Sequence, residues 1–285
     1  MSIKRTAFVL SCTLALAALS LQAQPTNGWK PNAVFGPTNA WLGDVAEIGV
    51  PGGFVFYDGK TTRALMKKVG EPVSGRELGL LMPTNRQWSV IFEFNDIGYV
   101  KDDEKDKLDA DKILKSIIEG TNEANKERQA AGRPPLIVDG WEVPPKYDEA
   151  THNLEWAIRA HSGGENVLNY NTRLLGRRGV METVLIVDPD DLQATLPQFR
   201  QLLADYKYRT GNSYAEYRPG DKIAEYGLGA LILGGAAVGA AKLGLLGPLL
   251  VILKKFWVLI VAALAAVANF FKRTFKAFFG RPDKQ

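Results

Sequence analysis

The chain has two histidines, His152 and His161, nine positions apart on or beside one stretch of strand character. In a regular strand an odd separation places them on opposite faces. Neither sits in an H-x-x-x-H or H-E-x-x-H pattern, so the spacing does not suggest a two-histidine metal site. No serine stands in a G-x-S-x-G context, although a Ser-His-Asp triad assembled only by the fold stays open. Asp102, Glu104 and Asp106 resemble the first ligands of a calcium loop. The sixth position, however, is Lys107 rather than Gly and the twelfth is Ile113 rather than Glu, which predicts a solvated charged loop. The glycines of 227–239 lack a following Lys-Ser/Thr and make no phosphate loop. Cys12 is the only cysteine and lies in the N-terminal apolar stretch, so the rest of the chain has neither disulfide nor thiolate chemistry. No residue is assigned as catalytic, cofactor-binding or metal-ligating, and no cofactor is expected.

The most distinctive polar stretch is NYNTRLLGRRGV, 169–180. Asn171, Arg173, Arg177 and Arg178 could form a bidentate site for an anion or carboxylate. The competing reading makes Arg177 and Arg178 basic turn residues and lets Arg173 pair across strands. GWEVPPKYD, 140–148, carries Trp141 and Tyr147. These aromatics either pack a rigid loop or face a partner, and packing accounts for them more simply. Together these six residues are the candidate partner-binding set.

Elements that would position them are readable from pattern. Val45–Val50 and Phe54–Tyr57 read as strands around Pro51-Gly52-Gly53. Thr61 is placed as N-cap of a short helix to Val69, with Gly70 as its left-handed C-terminal cap. Trp88–Phe94 alternates as a half-buried strand. Asp109 or Asp111 caps a helix to about Ala131, with Ile113, Leu114, Ile117 and Ile118 apolar and the second half polar on most sides. The proline-rich 140–148 cannot be a central strand. Asn153–Ala160, Asn166–Leu175 and Gly179–Val187 form an antiparallel meander, and a helix runs from Asp188-Pro189 to about Tyr208. The fold class is α+β: an antiparallel sheet with packed helices, as one domain or as two lobes meeting near Arg133–Asp148.

The ends carry a different signal. Residues 1–23 begin with Lys4 and Arg5, continue through an apolar stretch and close with Leu-Gln-Ala, the pattern of a signal peptide cleaved before Gln24. Residues 24–44, rich in Pro, Asn and Gly, read as a lead-in to an extracytoplasmic domain, 45–224. An apolar region, 225–272, reads as a helical membrane anchor, and 273–285 as a basic amphipathic tail. Within the apolar region, Gly227–Leu253 would reach ~40 Å as one helix and Phe256–Phe271 ~24 Å, against a hydrocarbon core of ~30 Å. Lys254, Lys255, Lys272, Arg273 and Lys276 are the expected interface residues, and the basic tail favours one crossing with a cytoplasmic C-terminus. The net charge of +4 is concentrated at these ends, while residues 24–253 are net acidic. That distribution argues against nucleic-acid binding.

Several blocks resemble a known family: GYVKDDEKDKLDADKILKSIIEGTNEANKERQAAGRPPLIVDGWEVPPKYD, then NLEWA, NYNTRLLGRRGV and GDKIAEYGLGALILGG. In this order they are similar to domain-of-unknown-function family 2167, predicted membrane-anchored bacterial proteins, over most of the chain from about Ala46. The resemblance implies a bacterial envelope protein with a large N-terminal domain and a C-terminal membrane segment. It implies no activity, cofactor or catalytic residue. The expected location is therefore the inner membrane, with the main domain periplasmic, the bilayer as one partner and an envelope protein as another. Two functions follow. One is a non-enzymatic binding or scaffolding module; the other is an envelope hydrolase or transferase using carboxylates or His152 and His161.

Overall fold

The alternation of Trp88, Val90, Phe92 and Phe94 becomes a central strand in the computed structural model, which describes residues 31–234. The strands in chain order are β1 (Ala33–Phe35), β2 (Thr38–Leu42), β3 (Ala46–Val50), β4 (Phe54–Asp58), β5 (Glu77–Pro83), β6 (Trp88–Asn95), β7 (Leu136–Asp148), β8 (Asn153–Ser162), β9 (Glu165–Leu175), β10 (Val180–Val187) and β11 (Lys207–Tyr208). The helices are α1 (Gly59–Lys68), α2 (Ala110–Ala130), α3 (Leu192–Ala204) and the single turn α4 (Leu228–Ile232). Eight strands form one antiparallel sheet in the order β1-β4-β5-β6-β10-β9-β8-β7, and a smaller sheet runs β11-β3-β2. The chain is thus an α+β protein built on a large antiparallel sheet.

Period-two patterning gives the large sheet two faces with different cover. On one face Phe92, Tyr170 and Leu185 pack with Leu42 and Ile48 of the small sheet and Phe199 of α3. On the other, Val55, Leu80, Met82 and Ile91 meet Met66 of α1. Further across that face, Leu154, Trp156 and Ile158 meet Ile113 and Ile117 of α2. Each fully buried side chain of this size contributes about 1.5–3 kcal/mol over the exposed state.

Several local expectations are corrected. Asp58 caps α1, its carboxylate accepting from the Thr61 amide at 2.7 Å, so Thr61 is the capped residue and not the cap. The 24–44 stretch read as a lead-in supplies β1 and β2. β5 had no forecast: Glu77–Pro83 is apolar nearly throughout, with Leu80, Leu81 and Met82 all buried, so it lacks the alternation that marks a one-sided strand. The helix drawn to Tyr208 stops at Ala204, because Lys207 and Tyr208 pair with Glu47 and Ala46. The stretch around Pro144 and Pro145 is the outermost strand, where a missing amide costs no ladder bond, and its register slips three times. The sheet continues through Arg133–Asp148 without a second lobe.

The apolar run that begins at Gly227 enters the fold. Leu228, Leu231 and Ile232 of α4 are buried beside Val100, Ile113 and Trp156. Among the described residues no helix is long and apolar enough to cross a membrane. The signal-peptide reading of 1–23, the rest of the anchor region and the interface residues Lys254, Lys255, Lys272, Arg273 and Lys276 lie outside the described residues.

Candidate ligand-binding cleft

α1 and α2 cover the two ends of one sheet face and leave β6, β10 and β9 between them. The register arranges that strip in rows. Ser89 lies beside Ile186, which pairs with Asn169; Ile91 beside Val184, which pairs with Asn171; and Glu93 beside Glu182, which pairs with Arg173. Asn169, Asn171 and Arg173 alternate along β9 on this side, while Tyr170, Thr172 and Leu174 face the main core or its edge. The polar half of NYNTRLLGRRGV is therefore a largely buried strip across this face of the sheet, with Asn169, Asn171 and Arg173 each 9 % exposed or less.

At the Ser89–Ile186–Asn169 end the strip opens into a cleft of about 370 Å³. Leu65 and Met66 of α1, Val69 at its C-terminal cap, Leu80 and Met82 of β5, Ile91 and Ile186 form its apolar wall. The helical spacing of 65, 66 and 69 and the alternate spacing of 80 and 82 direct these side chains to the same side. Glu71, Glu165, Asp188, Asp190 and Arg86 add charge to the lining, and Asn166 and Asn169 add amides.

Glu71 is placed by the end of α1. Gly70 takes φ +80°, the Gly70 amide donates to Lys67 at 3.2 Å, and the Glu71 amide donates to Met66 at 2.9 Å. This closure turns the chain sharply, so the residue after the glycine returns beside the helix. Burial pushes the Glu71 carboxyl up to about 7, against the opposing pull of Arg133 and Arg128. Arg128 itself is occupied: it donates to Pro134 O at 3.0 Å and Ser162 Oγ at 3.3 Å.

The other end of the strip is ionic. Arg76 pairs with Glu93 at 3.2 Å and Glu182 at 3.5 Å, and fully buried Glu77 lies 3.9 Å from Arg63. Burial raises the Glu93 carboxyl above the usual range. Arg173 is only 8 % exposed, lies 4.7 Å over the Trp156 ring, and leaves its Nε without a hydrogen-bond partner. Desolvation lowers its pKa, offset by Glu182 and Glu93.

The four residues of the expected anion site are not gathered. Asn171 and Arg173 lie on the strip, whereas Arg177 and Arg178 occupy the β9–β10 turn. Arg177 makes a bidentate pair with Asp221, both bonds 2.7 Å. Arg178 reaches Asp44 at 3.4 Å and Asp96 at 3.8 Å and lies over Phe94. Trp141 donates from Nε1 to Ala110 O at 3.2 Å, tying β7 to the start of α2. Tyr147 Oη donates to Asp102 Oδ2 and stands 3.0 Å from His152 Nδ1. His152, at φ +54° in the β7–β8 turn, lies against Tyr214 in a tilted ring contact with centroids 4.3 Å apart. His161 instead meets Asp139 at 3.0 Å, so the two imidazoles serve separate contacts. Asp102 of the acidic loop is thus engaged with Tyr147. Among the described residues no set of three His, Cys, Asp or Glu side chains is gathered as for a metal.

Sequence reasoning did not single out Glu71, Asn169 or the apolar wall. One signal was present for Asn169: polar residues at 169, 171 and 173 alternate with Tyr170 and Leu174 inside a strand. Glu71 had none, since an acid after a helix-ending glycine is ordinary.

The model of the family described as "Protein of unknown function (DUF2167)" matches residues 35–265. No curated protein matches the chain. Among solved structures, cyanobacterial PsbP (CyanoP) from Synechocystis sp. PCC 6803 is similar at 11% identity, covering 66% of this chain and 99% of that one, with a TM-score of 0.38. PA94, a protein of unknown function from Pseudomonas aeruginosa, is similar at 14% identity, covering 57% and 91%, with a TM-score of 0.24.

Proposed function

We propose that this chain, which belongs to the DUF2167 family, is a non-enzymatic binding module of the bacterial envelope whose ligand site is the cleft between α1 and the central strands. In this reading the α+β domain is extracytoplasmic and the apolar residues beyond α4 hold it at the inner membrane. The observation that carries the reading is the cleft itself: about 370 Å³, walled by aliphatic and thioether side chains and edged by a few charges. That combination of apolar walls with sparse polar groups is the common form of a small-ligand pocket. The residues first suspected of facing a partner, Trp141, Tyr147 and Arg177, are held by contacts within the domain, which moves the proposal from the loops to the cleft.

Native mass spectrometry of the full chain extracted from its membranes tests this. A small molecule should travel with the protein and be lost from Ile186→Trp, whose larger side chain occupies the cleft. Ligand retained by that variant would place the site elsewhere.

One observation favours the second reading, an envelope hydrolase or transferase. A carboxyl pushed to about 7, as in Glu71, is in the range suited to general acid–base work. Turnover of a candidate envelope substrate that disappears in Glu71→Gln while binding persists would support catalysis over binding alone.

A further inference from the structure

We propose that the cleft takes a small amphiphilic amine, an aliphatic body bearing one ammonium group; this rests on the reading of the cleft as the ligand site. The body is specified by the wall. Leu65, Met66, Leu80, Met82, Ile91 and Ile186 offer hydrocarbon and thioether surface. Apolar area removed from water there favours binding of a hydrocarbon body. A volume of about 370 Å³ is on the scale of a small molecule and not of a folded partner.

The head group is specified by charge. The lining carries four carboxylates, Glu71, Glu165, Asp188 and Asp190, against one guanidinium, Arg86. They come from separate places in the chain: the end of α1, the β8–β9 hairpin and the turn after β10. Asp188 and Asp190 stay open to solvent, with Asp188 Oδ1 accepting from the Asp190 amide at 3.0 Å. Glu71 is the partly desolvated member. Arg128 and Arg133 act on it from the end of α2 and the turn that follows, yet among the described residues neither closes an ion pair with it. A half-buried carboxylate without an ion-pair partner gains from an incoming cation. An anionic head would meet three solvent-exposed carboxylates, Glu165, Asp188 and Asp190, and the partly desolvated Glu71.

The methionines make a direct test possible. Met66 and Met82 line the cleft, while Met181 is fully buried in the core on the opposite face of the sheet. The full chain, in lipid nanodiscs and with ¹³C-labelled methionine methyls, is titrated at about pH 8 with hexylamine, hexanol and hexanoate. Hexylamine should shift the Met66 and Met82 methyls saturably and leave Met181 in place. Hexanol should bind about tenfold more weakly and hexanoate not at all. Glu71→Gln should reduce the hexylamine affinity to that of hexanol, and lowering the pH to about 6 should weaken it in the native chain only.

Hexanol or hexanoate binding as tightly as hexylamine would overturn the amine while leaving the cleft as a binding site. A capped Leu-Lys-Leu peptide that binds where hexylamine does not would overturn it in favour of a protein partner. Silence of Met66 and Met82 toward all four probes would overturn both this inference and the cleft reading beneath it.

Discussion

Arg177 and Asp221 are 44 residues apart in sequence and meet in two parallel hydrogen bonds, Nε to Oδ2 and Nη2 to Oδ1, each 2.7 Å. The pair ties the β9–β10 turn to the segment that leads into α4. Arg177 and its neighbour Arg178 look alike in sequence, but Arg178 makes only longer contacts to exposed Asp44 and Asp96.

Arg177→Ala should therefore lower the melting temperature, and Arg178→Ala should change it little, as surface substitutions usually do. Thermal denaturation of each single variant checks the difference. Equal effects would mean that the fork geometry has no special weight.

The same pair sets an acid limit. Hydrogen bonds from Arg177 and the Arg218 amide hold the Asp221 carboxyl down to about 2, against roughly 3.9 in an unfolded chain. A depressed carboxyl contributes stability above its unfolded pKa and loses it as pH falls toward the folded one. Asp221→Asn should then flatten the loss of stability between about pH 4 and pH 2 relative to the native chain.

Glu71 works in the opposite direction. Its folded pKa, about 7, lies above the ordinary value of 4.5, so the folded state holds the proton more tightly. Its penalty is absent at low pH, grows as pH rises through that window, and is complete above about 7. Melting curves at intervals from pH 5 to pH 8 should show Glu71→Gln losing this component of the slope; an unchanged slope would show that Glu71 is solvated.

Where the folded domain ends is decided by α4. A chain ending at residue 224 omits Leu228, Leu231 and Ile232, each 5 % exposed or less. Truncating one such side chain to alanine costs about 2–5 kcal/mol. A chain ending at 234 should melt cooperatively and well above one ending at 224, which should unfold readily or aggregate. Equal stability of the two would remove α4 from the core.

Membrane topology is tested at the other end. Intact mass of the membrane-purified chain should begin at Gln24, and a reporter active only in the cytoplasm should work when fused after Gln285. A silent cytoplasmic reporter with an active periplasmic one would mean a hairpin that returns the tail to the outer side.

The strands that sequence showed clearly are those whose two faces differ in solvent exposure. β6 reads as a strand because Trp88, Val90, Phe92 and Phe94 alternate, and the meander β8-β9-β10 reads from its short glycine turns. For β7, Pro144 and Pro145 excluded a central strand, since proline cannot donate to a ladder, but the stretch read as a loop and not as the edge strand it forms. β5 was silent because after Glu77 it is apolar without alternation, and β11 because two residues carry no period.

The candidate site was less legible for a related reason. A cleft is a space between elements distant in sequence, so Met66, Met82, Ile91 and Ile186 each read as an ordinary core residue. Only the packing of α1 beside the central strands turns them into a wall. Likewise Asn171, Arg173, Arg177 and Arg178 form one basic motif in sequence. Strand geometry sends the first two across the sheet face and leaves the others in a turn, where Asp221, Asp44 and Asp96 meet them. Sequence alone determined residue types and their local periods; which charges meet, and which side chains share a cleft, required the long-range pairing of β6, β9 and β10.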